Sequence, residues 1–399
     1  MSRPKDSYDV VIVGGGPAGT SAAIHLAMRG ARVLLAEQKK FPRAKLCGEF
    51  ISPECLQHFE RLGVSDEMMT AGGAELLETV FYSRSGRSVS VPSEWFKGGR
   101  VGALGLSRAE MDARLLARAR RAGVCVLEET QAAGLLMERG RVRGVRLKRD
   151  GETFEFDSLI AIDATGRARQ LARRVEVDGK RLAKKAAPLV AFKAHLEGAR
   201  GAVGNCEIYF YPGGYGGLNS VEGNLSNLCF IARARDVRAC GGDAEKVLRD
   251  VVTKNRRAAE TLFQARARSA WLAVALEGFG RRRVVPAAGL MAVGDAAAFI
   301  DPFTGSGMLM ALESGELAAE TIARHLSSLS GDEAFESLAR DYRARYDQIF
   351  GARLRVCALM RRAAFVPRLA ETLIFALGAS SRARRRLAQS TRRKSKAVG

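Results

Sequence analysis

Three glycines and two carboxylates stand at spacings that could do chemistry together. Gly14, Gly16 and Gly19 lie in Val13-Gly14-Gly15-Gly16-Pro17-Ala18-Gly19, and Glu37 follows 23 residues after Gly14. Gly14 permits a sharp turn, Gly16 lets backbone approach a phosphate, and Gly19 lets a helix pack close to a strand. A helix opening there presents free N–H groups and its positive dipole end to a pyrophosphate. An acid about 20 residues on is placed to take a ribose hydroxyl. The set points to a dinucleotide. The second carboxylate, Asp295, opens Gly294-Asp295-Ala296-Ala297-Ala298-Phe299-Ile300-Asp301-Pro302-Phe303-Thr304-Gly305-Ser306-Gly307-Met308. An Asp at a strand end accepts from a polyol hydroxyl. Pro302, Gly305 and Gly307 would hold a loop whose N–H groups stabilise negative charge on a bound ring. Proton donors are fewer: Tyr211, Tyr215 and the Cys47 thiol are the candidates.

Regular elements must position these groups. The apolar run 10–13 reads as a buried parallel strand, 21–29 as a helix and 32–36 as a second strand ending at Glu37. Residues 38–53, basic and carrying a glycine and two prolines, read as a loop. Pro53 then opens a helix over 54–62 with Ser52 as its cap. Ser107 and Glu110 form a capping box. Arg108 there meets an unfavourable dipole, so a nearby anion is expected. An apolar strand over 154–162 ends in Asp163-Ala164-Thr165-Gly166, at the sheet edge where open α/β sheets bind ligands. Residues 75–87 and 88–91 read as a hairpin about Ser85-Gly86. From about 171 to 279 the α/β alternation is lost, and 190–196, 207–211, 227–232 and 271–276 read as strands. Tyr209-Phe210-Tyr211-Pro212-Gly213-Gly214-Tyr215 would roof an apolar pocket, or else form an aromatic core with a glycine hairpin. A strand at 289–294 leads to a long helix through residue 323, and 335–360 and 365–377 read as helices. The latter reads either as an interfacial membrane helix with a polybasic anchor or as a helix packed on the nucleotide-binding domain.

The strand, Gly-Gly-Gly-Pro-Ala-Gly turn and acidic strand end, followed by Phe41-Pro42-Arg43-Ala44-Lys45-Leu46-Cys47-Gly48-Glu49, resemble the geranylgeranyl reductase family and its flavin-dependent halogenase relatives. Both lie among the FAD enzymes shaped like para-hydroxybenzoate hydroxylase. The resemblance spans residues 8–325 and includes the Asp295 loop almost letter for letter. It implies FAD as cofactor, with Gly14, Gly16, Ala18, Gly19, Glu37, Arg43, Lys45, Gly48, Arg108, Asp163, Gly166, Asp295, Pro302, Gly305, Gly307 and Met308 as its binding residues. Arg43 and Lys45 would sit near the phosphates or ring. Cys47 would touch the flavin edge, or else be a small buried apolar residue. The implied fold is α/β, a Rossmann-like FAD-binding domain (1–170 and 280–330) with an inserted β-sheet substrate domain (171–279, with 72–104 contributing). C-terminal helices (331–380) and a basic, disordered tail (381–399) would follow.

Expected activity is that of an FAD-dependent oxidoreductase, its flavin reduced by NAD(P)H as a transient reductant, acting on a hydrophobic isoprenoid, quinone or polyketide. Carbon–carbon double-bond reduction leads. Aromatic or polyketide hydroxylation by a monooxygenase and a non-catalytic FAD-binding role at a membrane surface are the alternatives. Trp-x-Phe-Pro-Lys, usual in isoprenoid-lipid reductases, is missing, and so is the halogenase Trp-x-Trp-x-Ile-Pro; halogenation is not expected. No second Gly-x-Gly-x-x-Gly offers NAD(P)H its own domain.

Composition narrows the partners. Of 399 residues 47% are hydrophobic, and the net charge is +21. Arginines and lysines crowd 382–399, where there is no acid, yet the rest of the chain is basic too. That suits peripheral membrane contact through the C-terminus. Aromatic and basic residues are not interleaved as base stacking needs, so nucleic acid is not expected. Seven cysteines without Cys-x-x-Cys spacing suggest reduced thiols in the cytoplasm. Four scattered histidines suggest no metal site. Neither a signal peptide nor an apolar run long enough to span a bilayer is expected.

Overall fold

A computed structural model of the chain describes residues 7–96, 102–176, 188–329, 332–364 and 367–390. The chain is α/β, with a Rossmann-like FAD-binding domain, an inserted β-sheet substrate domain and C-terminal helices. Ser7–Val13 lies between two parallel neighbours, Val33–Ala36 and Glu152–Asp163. Its Val10, Val11 and Ile12 are wholly buried, as a central parallel strand covered on both faces must be. Cys125–Leu127 extends the sheet on one side. Glu152–Asp163 serves two partners in turn. Its first half pairs antiparallel with Arg141–Arg149, and its last residues pair parallel with Leu290–Ala292. All these parallel strands end at the same edge, where Gly14, Glu37, Asp163 and Gly294 leave the sheet.

The first helix, Pro17–Ala27, begins four residues before the expected 21, because proline opens a helix as readily as it ends one. It crosses Gly307–His325 so closely that a Cβ on Gly315 would stand 2.4 Å from the carbonyl of Ala18. The Ser21 hydroxyl donates to Leu312 O at that crossing (2.9 Å). The largest apolar core lies between these helices and the parallel sheet.

A second sheet contains Glu78–Tyr82, Ser88–Pro92, Leu189–Glu197, Asn205–Tyr211, Gly214–Val221, Leu225–Arg233 and Leu272–Leu276. Side chains alternate across it. Ile208, Phe210 and Tyr215 point to a cavity, while Tyr209 and Tyr211 join a core on the opposite face. That outer core is completed by Ala244–Asp250 and Arg256–Leu262, two helices absent from the sequence reading. Their caps were nonetheless present: Asp243 accepts from Lys246 N (3.1 Å) and Asn255 from Ala258 N (3.0 Å).

Asp332–Ala364 packs on Gly307–His325, where the Tyr342 hydroxyl donates to Ala292 O (2.9 Å). Ile374 and Leu377 of Pro367–Gly378 join an apolar cluster that holds residues of the substrate sheet (Val89, Phe210, Ile231) and of the FAD-binding domain (Phe299, Phe303). Ser381–Ser390, expected to begin a disordered tail, is helical. The Gln389 side chain donates to Trp95 O (3.2 Å) and holds it to the turn after Ser88–Pro92. The rest of the expected tail lies outside the described residues.

Candidate functional site

One cavity of about 800 Å³ runs from the glycine turn, between the two sheets, to the C-terminal helices. At the turn the three glycines have different reasons. A Cβ on Gly14, whose φ is +112°, would lie 2.3 Å from Ala164 O. One on Gly19 would lie 1.9 Å from Gly14 O. At Gly16 only the Arg108 Nη2 atom comes within 4 Å, at 3.7 Å, so that face is open to the cavity. The helix start behind it carries no side-chain cap. Its N–H groups therefore remain for an anion.

Glu37, at the end of its strand, is buried, and its carboxylate accepts from Gly15 N (2.8 Å) and Lys39 N (3.0 Å). Arg43 reaches Glu37 Oε2 (3.5 Å) and Asp112 Oδ2 (3.4 Å), yet its buried Nε and Nη1 have no hydrogen-bond partner. The anion expected beside Arg108 is Asp112, one helical turn on, gripped by two hydrogen bonds of 2.8 and 2.7 Å. Arg108 is buried and still lines the cavity. Lys45 lines it as well, and its pKa is pulled below the ordinary value by the protein around it and by Arg43, Arg108 and Arg167.

Asp295 lines the far side of this basic cluster. Burial pushes its carboxyl above the usual range, against the pull of Arg167, Lys45 and Arg108. Ala18, Gly48, Gly166, Pro302, Gly305, Gly307 and Met308 complete the wall. A Cβ on Gly48 or Gly307 would meet nothing within 4 Å. An uncapped helix start, a buried arginine with two nitrogens free of hydrogen bonds and open glycine faces fit FAD, which Gly16, Arg43, Asp295, Gly48 and Gly307 would hold.

Two expected site residues stand elsewhere. Asp163 is fully buried, and its carboxylate is taken up by Thr165 N and Oγ1, Leu171 N and Ala172 N. It shapes the turn that carries Gly166 and does not line the cavity. Tyr211 lies on the outer face of its strand, its hydroxyl donating to Ile231 O (3.0 Å). Period-two alternation puts it there, since Phe210 beside it faces inward.

Cys47 and Tyr215 do line the cavity. Burial raises the Cys47 thiol above its usual pKa. The Tyr215 hydroxyl donates to Asp301 in a short hydrogen bond and accepts from Phe303 N (3.0 Å). Burial and the Asp301 charge hold Tyr215 well above an ordinary phenol, and burial raises Asp301 in turn.

Other groups were not foreseen. Glu49, wholly buried, accepts from Lys193 Nζ (3.0 Å) and Arg108 N (2.9 Å), and its Oε2 lies 2.6 Å from His195 Nε2. Burial pushes its pKa up, but the His195 hydrogen bond, the Lys193 charge and the Arg108 N–H outweigh that and hold it below normal. This triad ties the Cys47 loop to the substrate sheet. Its sequence signals are Glu49 closing the Phe41–Glu49 stretch and an alternation that puts Lys193 and His195 on one face of a strand.

Beyond Tyr215 the cavity wall is mostly apolar: Phe81, Val91, Ile231, Phe299 and Phe303, then Leu373 and Ile374 from Pro367–Gly378.

Comparison with known proteins gives concordant matches. The family described as FAD binding domain matches residues 7–350. The digeranylgeranylglycerophospholipid reductase of Methanosarcina acetivorans is 31% identical over 361 residues, covering 87% of this chain and 82% of the relative. A geranylgeranyl bacteriochlorophyll reductase-like protein of Thermoplasma acidophilum superposes with a TM-score of 0.76 at 21% identity, over 96% of each chain. The flavin-dependent brominase Bmp2 superposes with a TM-score of 0.78 at 21% identity, over 96% of this chain and 94% of its own. Those two show a shared fold.

Proposed function

The chain belongs to the geranylgeranyl reductase-like branch of the FAD-dependent oxidoreductases, and from that premise we propose that it reduces carbon–carbon double bonds in the isoprenoid chain of a lipid-like substrate. One observation carries this reading: a single cavity joins the cofactor cradle to an apolar chamber, and Tyr215 and Cys47 line it. When bound and reduced, FAD supplies the hydride. Gly16, Arg43 and Asp295 would hold the cofactor, and Phe81, Ile231 and Phe303 would exclude water from the chain beside it. The alkene carbon that does not take hydride needs a proton. Tyr215 holds one at its hydroxyl, with Asp301 behind it, and Cys47 holds another across the cavity. NAD(P)H is the electron source in this reading, reaching the cavity without a glycine turn of its own.

The test is anaerobic. Holoprotein reduced by NADPH is mixed with a geranylgeranyl lipid, and flavin absorbance and product mass are followed. Reoxidation of the flavin with addition of two hydrogens per double bond is expected, and Tyr215→Phe should slow it roughly ten- to a hundredfold. A flavin that stays reduced until air is admitted, with product gaining one oxygen, would replace the reductase by a monooxygenase. A flavin that no donor and substrate turn over would leave the binding role.

Peripheral contact with an anionic lipid surface belongs to the same reading. No helix among the described residues is long and apolar enough to cross a membrane. Phe375 is 67% exposed on Pro367–Gly378, and Arg382, Arg385 and Arg386 are exposed on the next helix. Cosedimentation with phosphatidylglycerol vesicles should be lost at about 0.5 M salt; binding that ignores salt would argue against it.

A further inference from the structure

The cations lining the cavity are unevenly placed. Arg43, Lys45, Arg108 and Arg167 surround the cofactor cradle, and Lys39 follows Glu37 beside it. At the opposite end, among the described lining residues, stands Arg384 on the helix Ser381–Ser390. Glu37, Glu49 and Asp295, the lining carboxylates, belong to the cradle end. Among the described lining residues, no acid faces Arg384 across the chamber. Its guanidinium lies over the Trp95 ring, 5.8 Å from the centroid. Leu387 and Ala388, one turn on, line the same wall.

A permanent cation lining the end of an apolar chamber, with no acid among the described lining residues there, is best compensated by an anion. Water alone would serve an exposed arginine. Here one side is an indole and the other an apolar chamber. The ligand that satisfies both has a long apolar chain ending in an anion. We propose that Arg384 is the head-group site of this enzyme, binding the phosphate or carboxylate of an amphiphile whose chain runs inward past Leu373 and Phe81 toward Tyr215. The site fixes which end of the substrate enters first and how far the chain reaches. It rests on the chain-reduction reading for the identity of the chain, though not for the charge at its end.

Trp95 supplies the probe, since the protein has two tryptophans and the other, Trp271, is replaceable by Phe. Trp95 fluorescence in the Trp271→Phe holoprotein is titrated with geranylgeranyl phosphate, geranylgeraniol, dodecyl phosphate and dodecanol, and with inorganic phosphate as competitor. Flavin content certifies that each variant is folded. Arg384→Gln should weaken both phosphates at least tenfold and leave both alcohols within about twofold, the size expected for one charge-assisted hydrogen bond. Arg384→Lys should recover part of the loss. Equal losses for phosphates and alcohols, no loss for either, or displacement by inorganic phosphate at matching concentration would overturn the site. If the geranylgeranyl and dodecyl phosphates bind alike and both depend on Arg384, the head-group site stands and the isoprenoid reading is what fails.

Discussion

At its cofactor end the cavity is walled by backbone, and at its outer end by side chains. Around Gly14 and Gly19 the chain comes so near itself that a methyl group has nowhere to go, with Gly14 O 1.9 Å from a Cβ on Gly19. Around Phe81, Ile231, Phe303 and Leu373 the wall is made of ring faces and aliphatic ends from four separate stretches of chain. A backbone wall tolerates no change of residue type and admits one kind of ligand. A side-chain wall keeps its apolar character through many substitutions and sets only length and width. The first specifies FAD; the second selects among substrates.

Gly19→Ala should show the contrast most strongly. Its Cβ faces backbone at Gly14 and the Ala164 Cβ at 3.0 Å, neither of which yields as a flexible side chain does. The cost should exceed ~3 kcal/mol, and the protein should purify with less than about a tenth of its flavin or not fold. Full flavin absorbance at 450 nm in this variant would undo the backbone-wall account. Glu49→Gln comes next and tests the seam between the two ends. It leaves Lys193, only 2% exposed, without its anion, and should cost about 3–5 kcal/mol. Glu49→Gln with Lys193→Met should regain most of that in urea unfolding. If the double variant is no better than the single one, the triad is not what joins the loop to the sheet.

The same contrast explains what could be read from sequence. The cradle was legible because steric necessity leaves a fixed residue type at a fixed spacing: Gly14, Gly16, Gly19 and Glu37, then Asp295 and Gly305. Tyr211 misled because its neighbours carry aromatic groups on both faces of the strand, so only the register with Gly214–Val221 and Leu225–Arg233 tells which face is inner. Asp163 misled for a different reason. An acid at a strand end serves a ligand or its own turn equally well, and here four donors of the following loop claim it. Arg384 was lost in a run of arginines whose composition suggested disorder. What distinguishes it is a contact with Trp95, nearly three hundred residues away.

Acid tests the cofactor half through one carboxylate, Glu316, compared with its own variant. Glu316 lies on Gly307–His325, the helix that supplies Gly307, and binds Arg61 Nε (2.8 Å) and Nη2 (3.0 Å) and His58 Nδ1 (3.0 Å) on Pro53–Leu62. Burial pushes its carboxyl up, but these hydrogen bonds and charges prevail and bring it down to about 2. A depressed carboxyl stabilises the fold above its unfolded pKa near 4.5 and loses that contribution as pH falls toward 2. The amount is on the order of 3 kcal/mol. Wild type should therefore exceed Glu316→Gln in urea midpoint at pH 7 and 5, with the gap closing by pH 3. A gap that stays constant with pH would remove the charge network from the account.

Gly217 should give the smallest effect, and it tests whether the two ends are independent. It lines the substrate chamber on Gly214–Val221, and a Cβ there would meet only the Ile208 Cδ1 atom at 3.1 Å and Glu207 O at 3.9 Å. The nearer atom is the free end of a side chain and moves aside. Gly217→Ala should change stability by less than about 1 kcal/mol, since the small crowding is offset by the reduced freedom of the unfolded chain. Flavin content should equal wild type. Gly217→Leu fills more of the chamber and should raise KM for a geranylgeranyl substrate several-fold while leaving a geranyl substrate and kcat nearly unchanged, because the lost space is chain length and not the junction at Tyr215. If Gly217→Leu instead sheds FAD, the side-chain wall supports the cradle across the Glu49 seam, and substrate length and cofactor affinity could not be altered separately in this fold.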